Sequence, residues 1–269
     1  MCSWSLRPRG VDELIERVQQ TGLGAVQLAL DPVRTGAMRL DNVKRRFDAA
    51  GINVLSGMVA MEGEDYSTLE SIRRTGGVVS DATWRDNLSA AAENARIAQA
   101  LSIHLVTFHA GFVPADDTSA QHGLLLDRLR QLADTFAAAG VKLALETGQE
   151  TAPVMLALVR ELESYDIGVN FDPANMILYG MDDPIAALDI LAPYVRQIHA
   201  KDAIASQSPG EWGTEVVVGD GAVDWVALFR TLDAHDIHPD LIIEREAGEK
   251  RVEDVLAATV HIRHLRAAG

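Results

Sequence analysis

The chain has a single cysteine, Cys2, among 269 residues. An intramolecular disulfide is therefore impossible, and zinc sites built on several cysteines are excluded. A reducing cytoplasm is the compartment this composition leads us to expect. Long apolar runs are missing as well. No stretch approaches the roughly 20 apolar residues of a membrane-spanning helix, and the opening Met-Cys-Ser-Trp-Ser-Leu-Arg has no apolar core of signal-peptide length. Positive charge is scarce: 24 Lys and Arg stand against 39 Asp and Glu, a formal charge of −15. Such a field repels phosphate backbones and anionic lipid. The only basic run, Lys44-Arg45-Arg46, is too short to offset it, so no nucleic-acid or membrane partner is expected. Glycine-rich phosphate loops are also lacking, since no G-x-G-x-x-G follows an early strand and no G-x-x-x-x-G-K-[ST] occurs.

What is present is a regular alternation of short β-like runs with longer helical patterns, the mark of βα units around a parallel sheet. Eight candidate strands fall at residues 2–6, 25–30, 53–59, 103–109, 141–146, 168–172, 197–201 and 241–245. Helical patterns lie between them at 11–21, 41–50, 83–101, 123–139, 152–164, 184–191, 224–235 and 252–265. Several strands are almost continuously apolar, as strands covered on both faces must be. Eight units in this length predict an α/β fold, a single-domain (β/α)8 TIM barrel over 1–269, with no linker and no low-complexity tract. Asp81 and Asp224 precede helical patterns and read as N-caps. Two connections are long, 61–81 and 203–223, and are expected to cover the barrel mouth, with Tyr66 and Trp212 available to lie on a sugar face.

In a barrel the C-terminal strand ends face the active site, and here they are polar. The fourth run ends in His109, the fifth in Glu146, the sixth in Asp172, the seventh in His199-Ala-Lys201 and the eighth in Glu244-Arg-Glu246. A lone buried carboxylate costs several kcal/mol or more, so a convergent group of them requires a cation. Three carboxylates and one imidazole from consecutive strands favour one divalent cation, Mn²⁺ or Mg²⁺, with Co²⁺ or Zn²⁺ admissible. The expected metal set is Glu146, Asp172, His199 and Glu244. Side chains two apart on a strand share a face, which places Lys201 beside His199 and Glu246 beside Glu244. With His109 and Asn175, these are the expected substrate contacts.

The segments Leu-Ala-Leu-Glu146-Thr-Gly-Gln149-Glu, Val-Asn-Phe-Asp172-Pro-Ala-Asn175-Met, Gln-Ile-His199-Ala-Lys201-Asp202, Gly219-Asp-Gly-Ala-Val-Asp-Trp225 and Ile-Ile-Glu244-Arg-Glu246 resemble the sugar phosphate isomerase/epimerase family of xylose isomerase-like TIM barrels. The resemblance spans essentially the whole chain. It implies that Glu146, Asp172, His199 and Glu244 match the metal ligands of ketose 3-epimerases, and that Glu146 and Glu244 match their catalytic carboxylates. Those epimerases carry a histidine where this chain has Asn175, and an arginine in the loop after the seventh strand where none occurs here. The same superfamily holds three-zinc apurinic endonucleases, but the missing histidine after Asp172 and the net charge of −15 oppose that reading.

A metal flanked by two carboxylates suits proton transfer next to a carbonyl. The expected activity is that of a metal-dependent isomerase or epimerase acting on a ketose or related polyol. A keto-sugar or inosose lyase, or a sugar-binding protein without catalysis, are the alternatives. The expected partner is a small sugar, and one without a phosphate is preferred because the loop after the seventh strand adds no Arg or Lys. The chain is compatible with a homo-oligomer.

Overall fold

The computed structural model describes residues 1–208 and 210–268. Its centre is a parallel sheet of seven strands: β1 (Ala25–Ala29), β2 (Asn53–Met58), β3 (Leu105–Phe108), β4 (Lys142–Glu146), β5 (Gly168–Phe171), β6 (Val195–Ala200) and β9 (Asp240–Ile243). They pair in that order. A small antiparallel hairpin, β7 (Asp202–Ile204) with β8 (Thr214–Val216), stands between β6 and β9 in the chain. The expected TIM barrel is thus the observed architecture. β5 is buried at every position and β4 at all but Lys142, which is why they read as continuous apolar runs.

The expected first strand over 2–6 is not a strand. Only Cys2 bridges to Gln27, and Trp4–Leu6 is a 3-10 turn that ends with Arg7 at φ +46°. Residues 1–3 nevertheless close the ring. Cys2 N–H donates to the Ile243 carbonyl at 2.9 Å, Ser3 N–H to the Gln27 carbonyl at 2.9 Å, and Gln27 N–H to the Met1 carbonyl at 2.9 Å. Beyond them, serine hydroxyls replace backbone acceptors: Ser3 Oγ accepts from Ala29 N–H at 2.9 Å and Ser5 Oγ from Arg245 N–H at 2.8 Å. Side chains that satisfy the neighbouring backbone remove the need for a ladder.

The helices lie where the 3.6-residue pattern puts them, within a few residues. Gly51 ends Leu40–Ala50 in the left-handed region at φ +66°, a conformation open to glycine without a Cβ penalty. Asp224 caps Trp225–Ala234 through a bond from Ala227 N–H at 2.9 Å. Asp81 does not cap. It is the first residue of Asp81–Ala100, behind Ser80, and pairs with Arg128. Three α-helices were not expected: the single turn Asp31–Arg34 after β1, Leu69–Thr75, nucleated by a Thr68–Ser71 capping box within 61–81, and Pro173–Tyr179, directly after β5. Among the described residues no helix is long and apolar enough to cross a membrane.

Candidate active site

The barrel interior below the mouth is polar. Gln27, Ser56, Thr107, Asn170 and Gln197 are all buried there. They satisfy one another: Gln27 Nε2 donates to Thr107 Oγ1 at 2.8 Å, Ser56 Oγ to Gln197 Oε1 at 2.5 Å, and Gln197 Nε2 to Asn170 Oδ1 at 3.1 Å. This chain of bonds fixes how each amide faces. Asn170 therefore presents its NH₂ to Glu146 Oε2 at 3.2 Å, and Gln27 presents its carbonyl oxygen to His199 Nε2 at 2.7 Å. A carbonyl oxygen only accepts, so Nε2 carries a proton; burial disfavours the charged ring, but Glu146 and Glu244 facing it hold the imidazole well above its ordinary value, and a cation bound at Nδ1 would take the place of the second proton.

Nδ1 points at three carboxylates. Nδ1 lies 3.2 Å from Glu146 Oε1, 3.4 Å from Glu244 Oε2 and 3.9 Å from Asp172 Oδ2. One ligand atom from each of Glu146, Asp172, His199 and Glu244 lies within 4.8 Å of all the others, and all four residues are buried. Such spacings suit ligands of one ion with bonds of about 2.0–2.4 Å.

Asp172 makes the sharpest case. Its Oδ1 caps Pro173–Tyr179, accepting from Ala174 N–H at 2.8 Å and Asn175 N–H at 2.9 Å, while its buried Oδ2 has no hydrogen-bond partner. Burial pushes this carboxyl well above its usual range; Glu244 and Glu146 add to the rise, and Lys201 opposes it. For Glu146 burial acts the same way, but the facing His199 holds it below the ordinary value. To serve together as ligands the three carboxyls must be ionised and the imidazole neutral, which with the Lys201 ammonium amounts to a charge of about −2 in a buried volume, a state that a divalent cation would neutralise. The donor set, three hard oxygens and one nitrogen around an unpartnered oxygen, fits a divalent metal.

The other expected site residues gather at the rim. Lys201 Nζ donates to Glu244 Oε2 at 3.0 Å, Glu246 Oε2 at 2.6 Å and Asn175 Oδ1 at 3.2 Å. Asn175 Nδ2 donates to Glu146 Oε1 at 3.0 Å. Asn175 thus links the two glutamates through Lys201. A glycine must precede this contact: Gly148, at φ +140°, lies so close to Asn175 that a Cβ would collide with it. His109 Nε2 is 3.6 Å from Glu146 Oε1, and its Nδ1 is buried without a partner. All eight expected residues therefore meet at one end of the barrel.

Reading the strands left out three contributors. Trp4 Nε1 donates to Glu244 Oε1 at 2.8 Å, Gln27 orients His199, and Glu64 reaches the cavity from 61–81, where it accepts from Gly77 N–H at 2.8 Å. Gln27 carried a signal, an amide inside the apolar run 25–30 that had to find a buried partner. Both long connections contribute to the mouth: Tyr66 lines it from the first, and Trp212 from the second, packed edge to face on Tyr179 at 4.7 Å. Residue 209 of the expected cover 203–223 lies outside the described residues.

Gly219 and Gly221 have a structural task. Asp202, fully buried, accepts from Ala203 N–H and Val223 N–H through Oδ1 at 2.9 and 3.1 Å. Through Oδ2 it accepts from Gly219 N–H at 2.9 Å and Trp225 Nε1–H at 3.0 Å. A Cβ at Gly221 would strike Oδ1. The Gly219 amide is thereby bonded inside the protein and is not open to a ligand.

Fold and site together define a TIM barrel with a buried carboxylate–imidazole cluster at its mouth. The chain belongs to the xylose isomerase-like TIM barrel family, whose profile matches residues 15–267; the resemblance seen in the motifs is borne out. The uncharacterized protein YihM of Escherichia coli strain K12 is 27% identical over 210 residues, which cover 72% of this chain and 64% of YihM. An inosose dehydratase of Geobacillus thermodenitrificans strain NG80-2 is 25% identical over 145 residues, 48% of each chain. The chain thus spans less than two thirds of the length of either relative. Among solved structures, a xylose isomerase domain protein from Planctomyces limnophilus superposes with a TM-score of 0.85 at 31% identity, covering 94% of this chain and 91% of that one. D-psicose 3-epimerase from Clostridium cellulolyticum H10, at 14% identity and a TM-score of 0.70 over 98% of both chains, shares the fold.

Proposed function

We propose that this chain is a metal-dependent isomerase or epimerase of a ketose or related polyol, working by proton transfer through an enediolate. The observation that carries the reading is the placement of Glu146 and Glu244, both lining the cavity, at 3.2 and 3.4 Å from His199 Nδ1. Glu146, Asp172, His199 and Glu244 would hold the ion, Mn²⁺ or Mg²⁺ by the hardness of the set. Bound there, the cation supplies the positive charge that a carbonyl oxygen needs as it gains electron density.

The chain's own residues do the rest. One glutamate takes the proton from the carbon beside the carbonyl, and the C–H electron pair becomes the C=C bond of the enediolate. The other glutamate returns a proton. Delivery to the same carbon from the opposite face inverts it; delivery to the neighbouring carbon moves the carbonyl. Asn175 and Lys201 hold the two carboxylates apart from each other and in place. His109, 3.6 Å from Glu146, is placed to orient a substrate hydroxyl.

A second reading, a keto-sugar or inosose lyase, is favoured by the Lys201–Glu246 contact of 2.6 Å, an acid beside the site able to protonate a departing hydroxyl. Incubating Mn²⁺-loaded protein with free ketoses and keto-inositols in D₂O separates the readings. An isomerase or epimerase incorporates deuterium at carbon, and a lyase also forms an enone. Neither outcome would leave a sugar-binding protein.

The orientation of His199 gives a further expectation. Gln27→Leu removes the acceptor on Nε2–H and should weaken Mn²⁺ binding by about 10–100-fold, the usual worth of a residue that orients a metal-bound histidine. Isothermal titration measures this, with Gln27→Glu restoring much of the loss. Unchanged Mn²⁺ affinity in Gln27→Leu would show that the ring is held by packing alone.

The connection 61–81 should respond to the sugar. With Glu64 and Tyr66 facing the cavity, amide exchange across Leu69–Thr75 and the preceding turn is expected to slow several-fold when substrate saturates the site. Exchange that does not change on binding would make this connection a fixed wall.

A further inference from the structure

The cavity over the cluster, about 610 Å³, has two unlike parts. The reactive part carries His109, Glu146, Asn175, Lys201, Glu244 and Glu246. A second part, at and just after the ends of β1 and β2, is made of Ala29, Pro32, Met58 and Ala60 with one charged residue, Asp31; Trp4 adjoins it, and Glu64 and Tyr66 line the cavity from the connection that follows β2. Asp31 is already committed: Oδ1 accepts from Arg34 Nε at 3.2 Å and Asn94 Nδ2 at 2.9 Å, and Oδ2 from Ala60 N–H at 2.9 Å. The Trp4 indole N–H is taken by Glu244. Sugar hydroxyls pressed against this wall would lose water and find no replacement.

We infer that the substrate is an uncharged keto-sugar in ring form bearing an apolar or aromatic substituent that lies on the β1–β2 wall. The inference rests on the isomerase-or-epimerase reading of the same site. An open-chain polyol tail matches the wall poorly, because each hydroxyl needs a partner, whereas a flat apolar group does not. The volume lies within the roughly 300–1,000 Å³ of pockets that enclose drug-sized ligands, leaving space beyond a single sugar ring.

Charge completes the argument. Lys201 has three protons, and all three are engaged, by Glu244, Glu246 and Asn175. It is the only cationic side chain among the described residues that line the cavity; Asp31, Glu64, Glu146, Glu244 and Glu246 line it as well. The Gly219 amide is bonded to Asp202. Among the described residues that line the mouth, no cationic side chain is free to hold a phosphate or carboxylate on the substrate.

The test is isothermal titration of Mn²⁺-loaded protein with methyl β-D-glucopyranoside and phenyl β-D-glucopyranoside as unreactive probes. The phenyl glycoside is expected to bind at least ~10-fold more tightly, the effect of moving a ring from water to an apolar wall. Ala60→Asp, at an exposed position of that wall, should abolish the preference while leaving the methyl glycoside unaffected; Met58→Asn should do the same more weakly. D-fructose 6-phosphate should bind no better than D-fructose. Equal affinity for the two glycosides, no binding of either, or tighter binding of the phosphate ester would overturn the inference. Deuterium exchange into a phenyl keto-glycoside separates the two layers. A phenyl preference without exchange removes the isomerase reading and keeps the subsite, and exchange without a preference does the reverse.

Discussion

Replacing Glu146 or Glu244 with glutamine is expected to lower carbon-proton exchange by about 10²–10⁴-fold, the usual contribution of a positioned general base. Glutamine keeps the side-chain length and one oxygen, so its main effect is the loss of basicity. Each carboxylate is held for its task. Glu146 accepts from Asn175 and Asn170 at 3.0 and 3.2 Å, and Glu244 accepts from Trp4 and Lys201 at 2.8 and 3.0 Å. Some metal affinity goes with the charge, so the rates must be compared at saturating Mn²⁺. Exchange of solvent deuterium into a bound ketose is the readout, since it reports proton removal even without net turnover. Wild-type exchange rates in both variants, with metal bound, would reduce these residues to ligands and end the two-base mechanism. His109→Ala should affect the chemical step less, because His109 is 3.6 Å from Glu146 and is placed to orient substrate.

Asp202→Ala is expected to destabilise the fold by about 3–5 kcal/mol. The change strands the Ala203, Gly219 and Val223 amides and the Trp225 indole N–H, and a buried donor without a partner costs ~1–3 kcal/mol. Partial rehydration near Gly219, which is part-buried, keeps the sum below the maximum. Urea unfolding measures the loss, and Asp202→Asn should recover part of it through the retained oxygen. A loss below about 1 kcal/mol would mean that water reaches these donors and that the loop before Trp225 does not depend on Asp202.

These two residues also show what could be read from the chain. β4, β5, β6 and β9 lie close to their expected positions because strands buried on both faces write themselves as apolar runs. Their polar ends then stand out, which is how Glu146, Asp172, His199 and Glu244 were marked before any geometry. The first strand misled because Met-Cys-Ser-Trp-Ser-Leu alternates like a strand, while Ser3 and Ser5 satisfy neighbouring backbone and stop the ladder after Cys2. Pro173–Tyr179 went unseen since it is one short helix whose cap, Asp172, was accounted for as a ligand; the residue does both, with one oxygen for each. The Gly219–Trp225 motif could be noticed but not explained, for its partner Asp202 lies 17 to 23 residues away in sequence. Trp4 had no local signal at all, because its contact with Glu244 spans 240 residues.

The central claim is that Glu146, Asp172, His199 and Glu244 hold one divalent cation where the substrate binds. Anomalous diffraction from a crystal soaked in Mn²⁺ tests it most directly. The account predicts a single strong peak about 2.0–2.4 Å from His199 Nδ1 and from one carboxylate oxygen each of Glu146, Asp172 and Glu244. A peak outside this cluster, or a cluster that stays without metal at saturating Mn²⁺ with Asp172 Oδ2 still unpartnered, would contradict it.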